Sequence, residues 1–212
     1  MRLLIATTNP NKVREIRQLL DGLPFDLVTL AEWPLVTAPE ETGQTFEENA
    51  RAKALYYAAA TGELTVAEDS GLAIDALEGM PGVESARFGG ADTSYPDKFE
   101  LIYEMLRARG TTGPSTARFV CAVALVKGAR VLFETRGTVE GCIAPEPSGD
   151  GGFGYDPIFF YPPYGQTLAE VGDRKAAVSH RGAAFRALAA FLASPRRSSD
   201  ESDSSEGGQS HF

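Results

Sequence analysis

Two β-rich runs, Thr116 to Val126 and Arg130 to Val139, are separated only by Lys127-Gly128-Ala129. A gap that short, with a glycine in it, closes an antiparallel hairpin. Around the hairpin the chain alternates strand-like and helix-like patterns. Leu3 to Ala6 is a short apolar run of the kind that makes a buried strand. Asn9 then caps a helix, Pro10 fits its first turn, and Val13, Ile16, Leu19 and Leu20 recur at helical spacing until Gly22. Phe25 to Leu30 is a second strand. Thr45 with Glu48 is a capping-box pair that opens a helix to about Ala60. Leu64 to Ala67 and Leu72 to Ala76 are expected as two strands around a polar insert. Asp97 to Arg107 is amphipathic, and Lys175 to Leu192 is an Ala-rich helix. Helices among strands, with one antiparallel hairpin, predict an α/β fold on a mixed central sheet.

The sequence has no fixed-period repeat. Residues 198–212 hold a single large apolar side chain, Phe212, and cannot bury enough surface to offset the entropy of ordering them. The expected division is a folded domain over 1–195 and a disordered, acidic, Ser-rich tail over 196–212. Twenty Lys and Arg against 29 Asp and Glu leave a net charge of −9, which argues against a duplex nucleic-acid binder. A small anionic ligand is not excluded, because local fields decide its binding. Cys121 and Cys142 are too few and too far apart for a metal ribbon or a disulfide framework, so both are expected as reduced thiols. The apolar start, Met1 to Ala6, is too short for a signal peptide or a membrane span, and a cytoplasmic protein without a membrane partner is expected.

Four places hold residue types that chemistry would need. The first is Thr7-Thr8-Asn9-Pro10-Asn11-Lys12, where a strand runs into a helix N-terminus. Unpaired backbone N–H groups and the positive dipole end accept phosphate there, and Lys12 adds a point charge. The plain alternative is a capped helix start with a solvent lysine. The segment has no glycine, so it is neither a Walker loop nor a dinucleotide fingerprint. The second place is acidic: Glu40 and Glu41 in a loop, Glu47 and Glu48 with Asn49 and Lys53 on the next helix, and Glu68-Asp69-Ser70-Gly71 between apolar runs. Carboxylates that close repel unless a cation sits between them, and magnesium takes one or two carboxylates plus substrate phosphates. An ordinary acidic turn is the alternative.

The third place is Gly151-Gly152-Phe153-Gly154-Tyr155-Asp156-Pro157, preceded by Gly149. Glycines let the backbone approach a ligand, two aromatics offer a face for a base, and Asp156 offers an acceptor for a purine N–H edge. A flexible loop with two apolar anchors is the alternative. The fourth is Lys175 with Ser179-His180-Arg181-Gly182, in which Lys175 and Ser179 are expected one helical turn apart on one face. Arginine grips anions bidentately, and His180 can bond a base or a phosphate; a charged surface helix is the alternative. All four in one chain have a joint explanation: a nucleoside triphosphate held by cations and magnesium, with its base under an aromatic loop.

These segments also resemble a known family. Thr7 to Lys12, Glu40-Glu41-Thr42-Gly43-Gln44-Thr45-Phe46-Glu47-Glu48-Asn49-Ala50, Ala67-Glu68-Asp69-Ser70-Gly71-Leu72, Pro81-Gly82-Val83-Glu84-Ser85-Ala86-Arg87, Gly152 to Phe159, and Lys175 with Ser179 to Gly182 are similar, in order, to the motifs of the inosine triphosphate pyrophosphatase family, the house-cleaning XTP/dITP diphosphatases. The likeness spans residues 2 to 193. It implies a mixed α/β fold of two lobes with the site in the cleft between them, and a homodimer. The implied reaction converts ITP, dITP or XTP to the monophosphate and pyrophosphate with magnesium. By the same likeness, Thr7, Thr8, Asn9, Pro10, Asn11 and Lys12 would hold the triphosphate and Ser70 would touch substrate. Phe153, Gly154, Tyr155 and Asp156 would take the base, completed by Lys175, His180 and Arg181. Asp69 would activate water, and Glu40, Glu68 and Asp69 would serve the metal, Glu40 being chosen over Glu41. Many members carry Gly at the position of Thr8, and many bacterial members carry Asp at that of Glu68. The rivals are a nucleotide sensor without turnover and a pyrophosphatase for another damaged nucleotide.

Overall fold

The computed structural model describes residues 1–111 and 113–194, so the tail expected over 196–212 lies outside the described residues. The chain runs β1 (Arg2–Ile5), α1 (Pro10–Leu19), β2 (Asp26–Thr29), α2 (Phe46–Thr61), β3 (Leu64–Ile74), α3 (Tyr95–Ala108), β4 (Thr116–Lys127), β5 (Arg130–Ile143), β6 (Phe159–Tyr161), β7 (Gln166–Thr167), α4 (Lys175–Val178) and α5 (His180–Ala193), with short 3₁₀ turns between. One sheet of seven strands takes the order β2-β1-β3-β4-β5-β6-β7. β1 lies parallel to β2 and β3, and the other pairings are antiparallel, so the sheet is mixed.

Local chemistry explains the elements. Asn9 Oδ1 accepts from the backbone N–H groups of Asn11 and Lys12 and starts α1. Thr45 Oγ1 accepts from Glu48 N–H and starts α2, whose end is closed by Gly62 at φ 74. β4 and β5 form the hairpin, in register from Thr116↔Cys142 to Lys127↔Arg130, with a bulge near Leu125 and Val126. Only Gly128-Ala129 turn the chain, so both strands are longer than their apolar patterns alone suggest.

Two expectations are corrected. β3 is one continuous strand of 11 residues, not two around a polar insert. Glu68, Asp69 and Ser70 keep their ladder places opposite Val123, Ala122 and Cys121. Their charges find partners from other elements, so burial does not break the strand. The Ala-rich segment is also not one helix. Ser179 adopts extended backbone (φ −72, ψ 155) and caps α5 by accepting from Gly182 N–H. Lys175 and Ser179 therefore share no helix face.

α2 packs one face of β1, β3 and β4 through Ala50, Ala54, Tyr57 and Ala58, and α1 and α5 cover the other through Ile16, Leu20, Phe185 and Leu188. A further apolar cluster joins the distal halves of β3, β4 and β5 to α3 and β6 through Leu72, Ile102, Phe119 and Phe159. β3 and β4 contribute to all of these clusters, so two lobes share one sheet. Among the described residues, no helix is long and apolar enough to cross a membrane. Cys121 and Cys142 are free, Cys121 buried and Cys142 half-buried.

Candidate active site

A cavity of about 330 Å³ opens between the lobes. Of the residues expected in a site, Thr7, Thr8, Asn9, Lys12, Asp69, Ser70, Phe153, Gly154, Tyr155, Asp156, Lys175, His180 and Arg181 line it. Pro10, Asn11, Glu40 and Glu68 do not. Pro10 begins α1 and faces a neighbouring groove. The N–H groups of Asn11 and Lys12 are already taken by Asn9 Oδ1, so this turn offers hydroxyls and the Lys12 ammonium more than free helix N–H groups. Glu40 is exposed, whereas Glu41 lines the cleft; the loop carboxylate that faces the site is Glu41. Glu68 lies behind the wall, only 2% exposed.

One wall is acidic. Asp69 Oδ2 accepts from Asn49 Nδ2 at 3.0 Å, and Lys53 Nζ lies 3.4 Å from Asp69 Oδ1 and 2.5 Å from Glu41 Oε1. α2 supplies both Asn49 and Lys53, one turn apart, so the capped helix places them together. Burial pushes the Asp69 carboxyl above the usual carboxylate range, more than Lys53 and Lys12 pull it down. Lys53 is held charged: burial opposes it, but Asp69 and Glu41 outweigh burial. Arg87 reaches the same wall, 3.4 Å from Glu41.

The other wall is aromatic and cationic. Phe153 lies under two cations, Lys175 Nζ at 4.9 Å and the Arg181 guanidinium at 5.4 Å from the ring centre. Asp156 Oδ2 accepts from Phe153 N–H at 2.7 Å and from Lys175 at 2.6 Å. That oxygen also fixes the loop, because a Cβ at Gly152 would collide with Asp156. His180 stacks on Phe119, with ring centres 4.8 Å apart and an interplanar angle of 16°. Burial, then the Arg181 charge, holds its imidazole well below the ordinary histidine range, so it is neutral. Among the described residues three buried side-chain polar atoms lack a partner, and two of them, His180 Nδ1 and Arg181 Nε, belong to this wall.

Glu15 escaped the sequence reading. It accepts from Lys175 at 3.0 Å and from Arg181 at 2.7 Å, tying α1 to the aromatic wall. In sequence it is one more charged residue on the polar face of α1, with no local signal. Asn49 and Lys53 carried a signal, their spacing on a capped helix beside the acidic loop.

The acidic wall suits magnesium. Asp69 is a buried carboxylate whose nearest cation is 3.4 Å away, so its charge is under-compensated. Asp69 and Glu41 are two oxygen donors on one cleft. Among the described residues no His, Cys, Asp or Glu cluster of three or more could hold a metal alone. Two carboxylates completed by substrate phosphates is the way magnesium is usually held.

Fold and cleft define an α/β protein with a mixed sheet and a cavity between its lobes, one wall carrying carboxylates with Lys53 and the other Phe153 beneath Lys175 and Arg181. A model of the Ham1 family matches residues 3–191, and the chain belongs to that family. It is 48% identical over 193 residues to the dITP/XTP pyrophosphatase of an Exiguobacterium species, covering 91% of this chain and 97% of that one. It is 47% identical over 190 residues to a dITP/XTP pyrophosphatase of Thermus thermophilus, covering 89% of this chain and 90% of that one. Among solved structures, a HAM1 protein from Coxiella burnetii superposes with a TM-score of 0.84 at 38% identity, covering 91% of this chain and 98% of that one.

Proposed function

We infer that this chain hydrolyses deaminated purine nucleoside triphosphates (ITP, dITP and XTP) to the monophosphate and pyrophosphate, keeping them out of nucleic-acid precursor pools. The observation that carries the reading is the pairing of two walls on one cleft: carboxylates with Lys53 on one, and an under-satisfied His180–Arg181 pair beside Phe153 on the other. The relatives named dITP/XTP pyrophosphatase support the substrate class.

The chain's own groups suggest how the reaction runs. Asp69, a buried carboxylate on the cleft, accepts the proton of a water that attacks the α-phosphorus as pyrophosphate leaves. Lys12 and Lys53 present fixed cations to the triphosphate, and Ser70, held by Arg181 at 2.9 Å, lies beside them. Phe153 and the neutral His180, both on the wall opposite the carboxylates, would receive a planar base. Arg181 carries only donors, which suits the 6-oxo group of a deaminated purine. The 6-amino group of adenine would set donor against donor, and a site built to bond a group rejects analogues that lack it by up to about 10⁴–10⁵-fold. Glu41 and Asp69 would hold magnesium, which neutralises charge as it develops on the phosphates.

The test is pyrophosphate release from ITP, XTP, ATP and GTP, with and without a chelator. Equal turnover of ATP and ITP sinks the selectivity, and full activity under chelation sinks the magnesium. Release of orthophosphate instead of pyrophosphate would reassign the bond that breaks. A cytoplasmic homodimer belongs to the same reading, and light scattering after size exclusion decides the assembly.

A further inference from the structure

Glu68 touches three donors and is almost fully shielded from solvent. Its Oε1 lies 2.7 Å from Lys12 Nζ and 3.5 Å from Arg181 Nη2, and its Oε2 accepts from Cys121 Sγ at 3.2 Å. Lys12 arrives from α1 and Arg181 from α5, and both line the cleft. Arg181 has a second anchor in Glu15 at 2.7 Å, but Glu68 is the anion that lies between the two cations, and without it the like charges of Lys12 and Arg181 would repel. Asp69, one residue on, faces the other way: its partners Asn49 and Lys53 belong to α2. Adjacent strand residues point to opposite faces, so the pleat of β3 separates the two carboxylates.

From this geometry we propose that Glu68 is a positioning residue and not a metal ligand. Resting on the nucleotide reading above, it couples the triphosphate side of the cleft, through Lys12, to the base side, through Arg181. A divalent ion at Glu68 would have to evict Lys12 from a place where the carboxylate side chain is only 1% exposed. Glu41 is also paired, with Lys53, but its side chain is 24% exposed on the cleft, and Asp69 beside it has its nearest cation at 3.4 Å, so an arriving ion can reach the acidic wall without entering a closed interior. Cys121 completes the arrangement by donating to the oxygen the cations leave free.

Glu68→Gln keeps the shape and removes the charge. Manganese binding to the resting protein, read by electron paramagnetic resonance, should stay within about twofold of wild type, whereas Asp69→Asn should weaken it by about tenfold or more. The coupling is read from Lys12→Met and Arg181→Met, singly and together, on kcat/KM for ITP. In the wild-type background their losses should deviate from the product by about fivefold or more; in the Glu68→Gln background they should multiply. Glu68→Asp, which keeps the charge, should restore part of the deviation; if Glu68→Gln does not fold, Glu68→Asp carries the manganese arm and the wild-type background alone carries the coupling arm. A tenfold loss of manganese affinity in either Glu68 variant makes Glu68 a metal ligand and overturns the proposal, as do independent losses in the wild-type background. Failure of the wild type to turn over ITP refutes the nucleotide reading instead, and the manganese arm still judges Glu68.

Discussion

Gly137 in β5 lies directly under the start of α5. A Cβ built there would stand 2.7 Å from the backbone N of Ala184 and closer still to the carbonyl of His180. Ordinary non-bonded contact needs about 3.5 Å, so Gly137→Ala must push the helix back by roughly 0.8 Å at Ala184 and further at His180. The obstacle is backbone and cannot swing aside like a flexible side chain. Overpacking of this kind costs about 1–3 kcal/mol, and at this chain length each kcal/mol moves Tm by about 2–4 °C. Gly137 does not need a left-handed backbone, so removing glycine costs nothing in conformation and would by itself favour the strand. The displacement carries His180 and Arg181 with it and leaves Asp69 in place. A misplacement near 1 Å costs up to about 10²-fold in rate, so kcat/KM for ITP should fall about 10- to 100-fold while preference over ATP narrows. Thermal melts and a pyrophosphate-release assay read both effects, with Gly113→Ala, whose Cβ meets nothing within 4 Å, as the control. A Gly137→Ala protein that melts with wild type and keeps its ITP kinetics would show that α5 does not set the base side of the cleft.

Three further outcomes are expected. Lys53→Met removes the cation nearest Asp69, whose carboxyl then rises further; with Asp69 as the proposed base, the acid limb of the kcat/KM profile should move to higher pH. His180 is neutral in the folded chain but takes up a proton when unfolded below about pH 6.5, so stability should fall on acidification by up to about 1.4 kcal/mol per pH unit. Denaturant titrations of His180→Gln should lack that component. Ser179→Ala removes the cap of α5 and should lower stability by about 1 kcal/mol, seen as a Tm drop of about 2–4 °C.

What could be read from the sequence was what the chain does locally. Asn9 and Thr45 announce helix starts because the cap oxygen and its N–H partners lie within three residues. The hairpin is legible for the same reason. Thr7, Lys12, Asp69, Phe153, Asp156 and Arg181 stand out because their segments pair unusual residue types with strand ends and helix starts. The continuity of β3 was hidden because its polar centre is balanced by Lys12, Arg181 and Lys53, which lie far away along the chain. The break at Ser179 was masked although its cap bond to Gly182 spans only three residues, because Ala176-Ala177 before it and Ala183-Ala184 after it let one helical pattern run across the site and no proline marks it. Glu15, and the choice of Glu41 over Glu40, turn on which way a side chain points in the assembled cleft, and no local pattern carries that.

The pleat of β3 makes parity a property of this enzyme. Glu68 and Asp69 carry the same charge and nearly the same chemistry, yet one is buried against Lys12, Arg181 and Cys121 and the other opens on the cleft beside α2. Eleven consecutive pairs with β4, from Leu64↔Lys127 to Ile74↔Ala117, lock which is which. A single residue inserted or deleted within the strand would exchange their sides, putting the cleft carboxylate among the partners that now hold Glu68. Within β3 only even changes in length would preserve the assignment. The strand therefore keeps count as well as place.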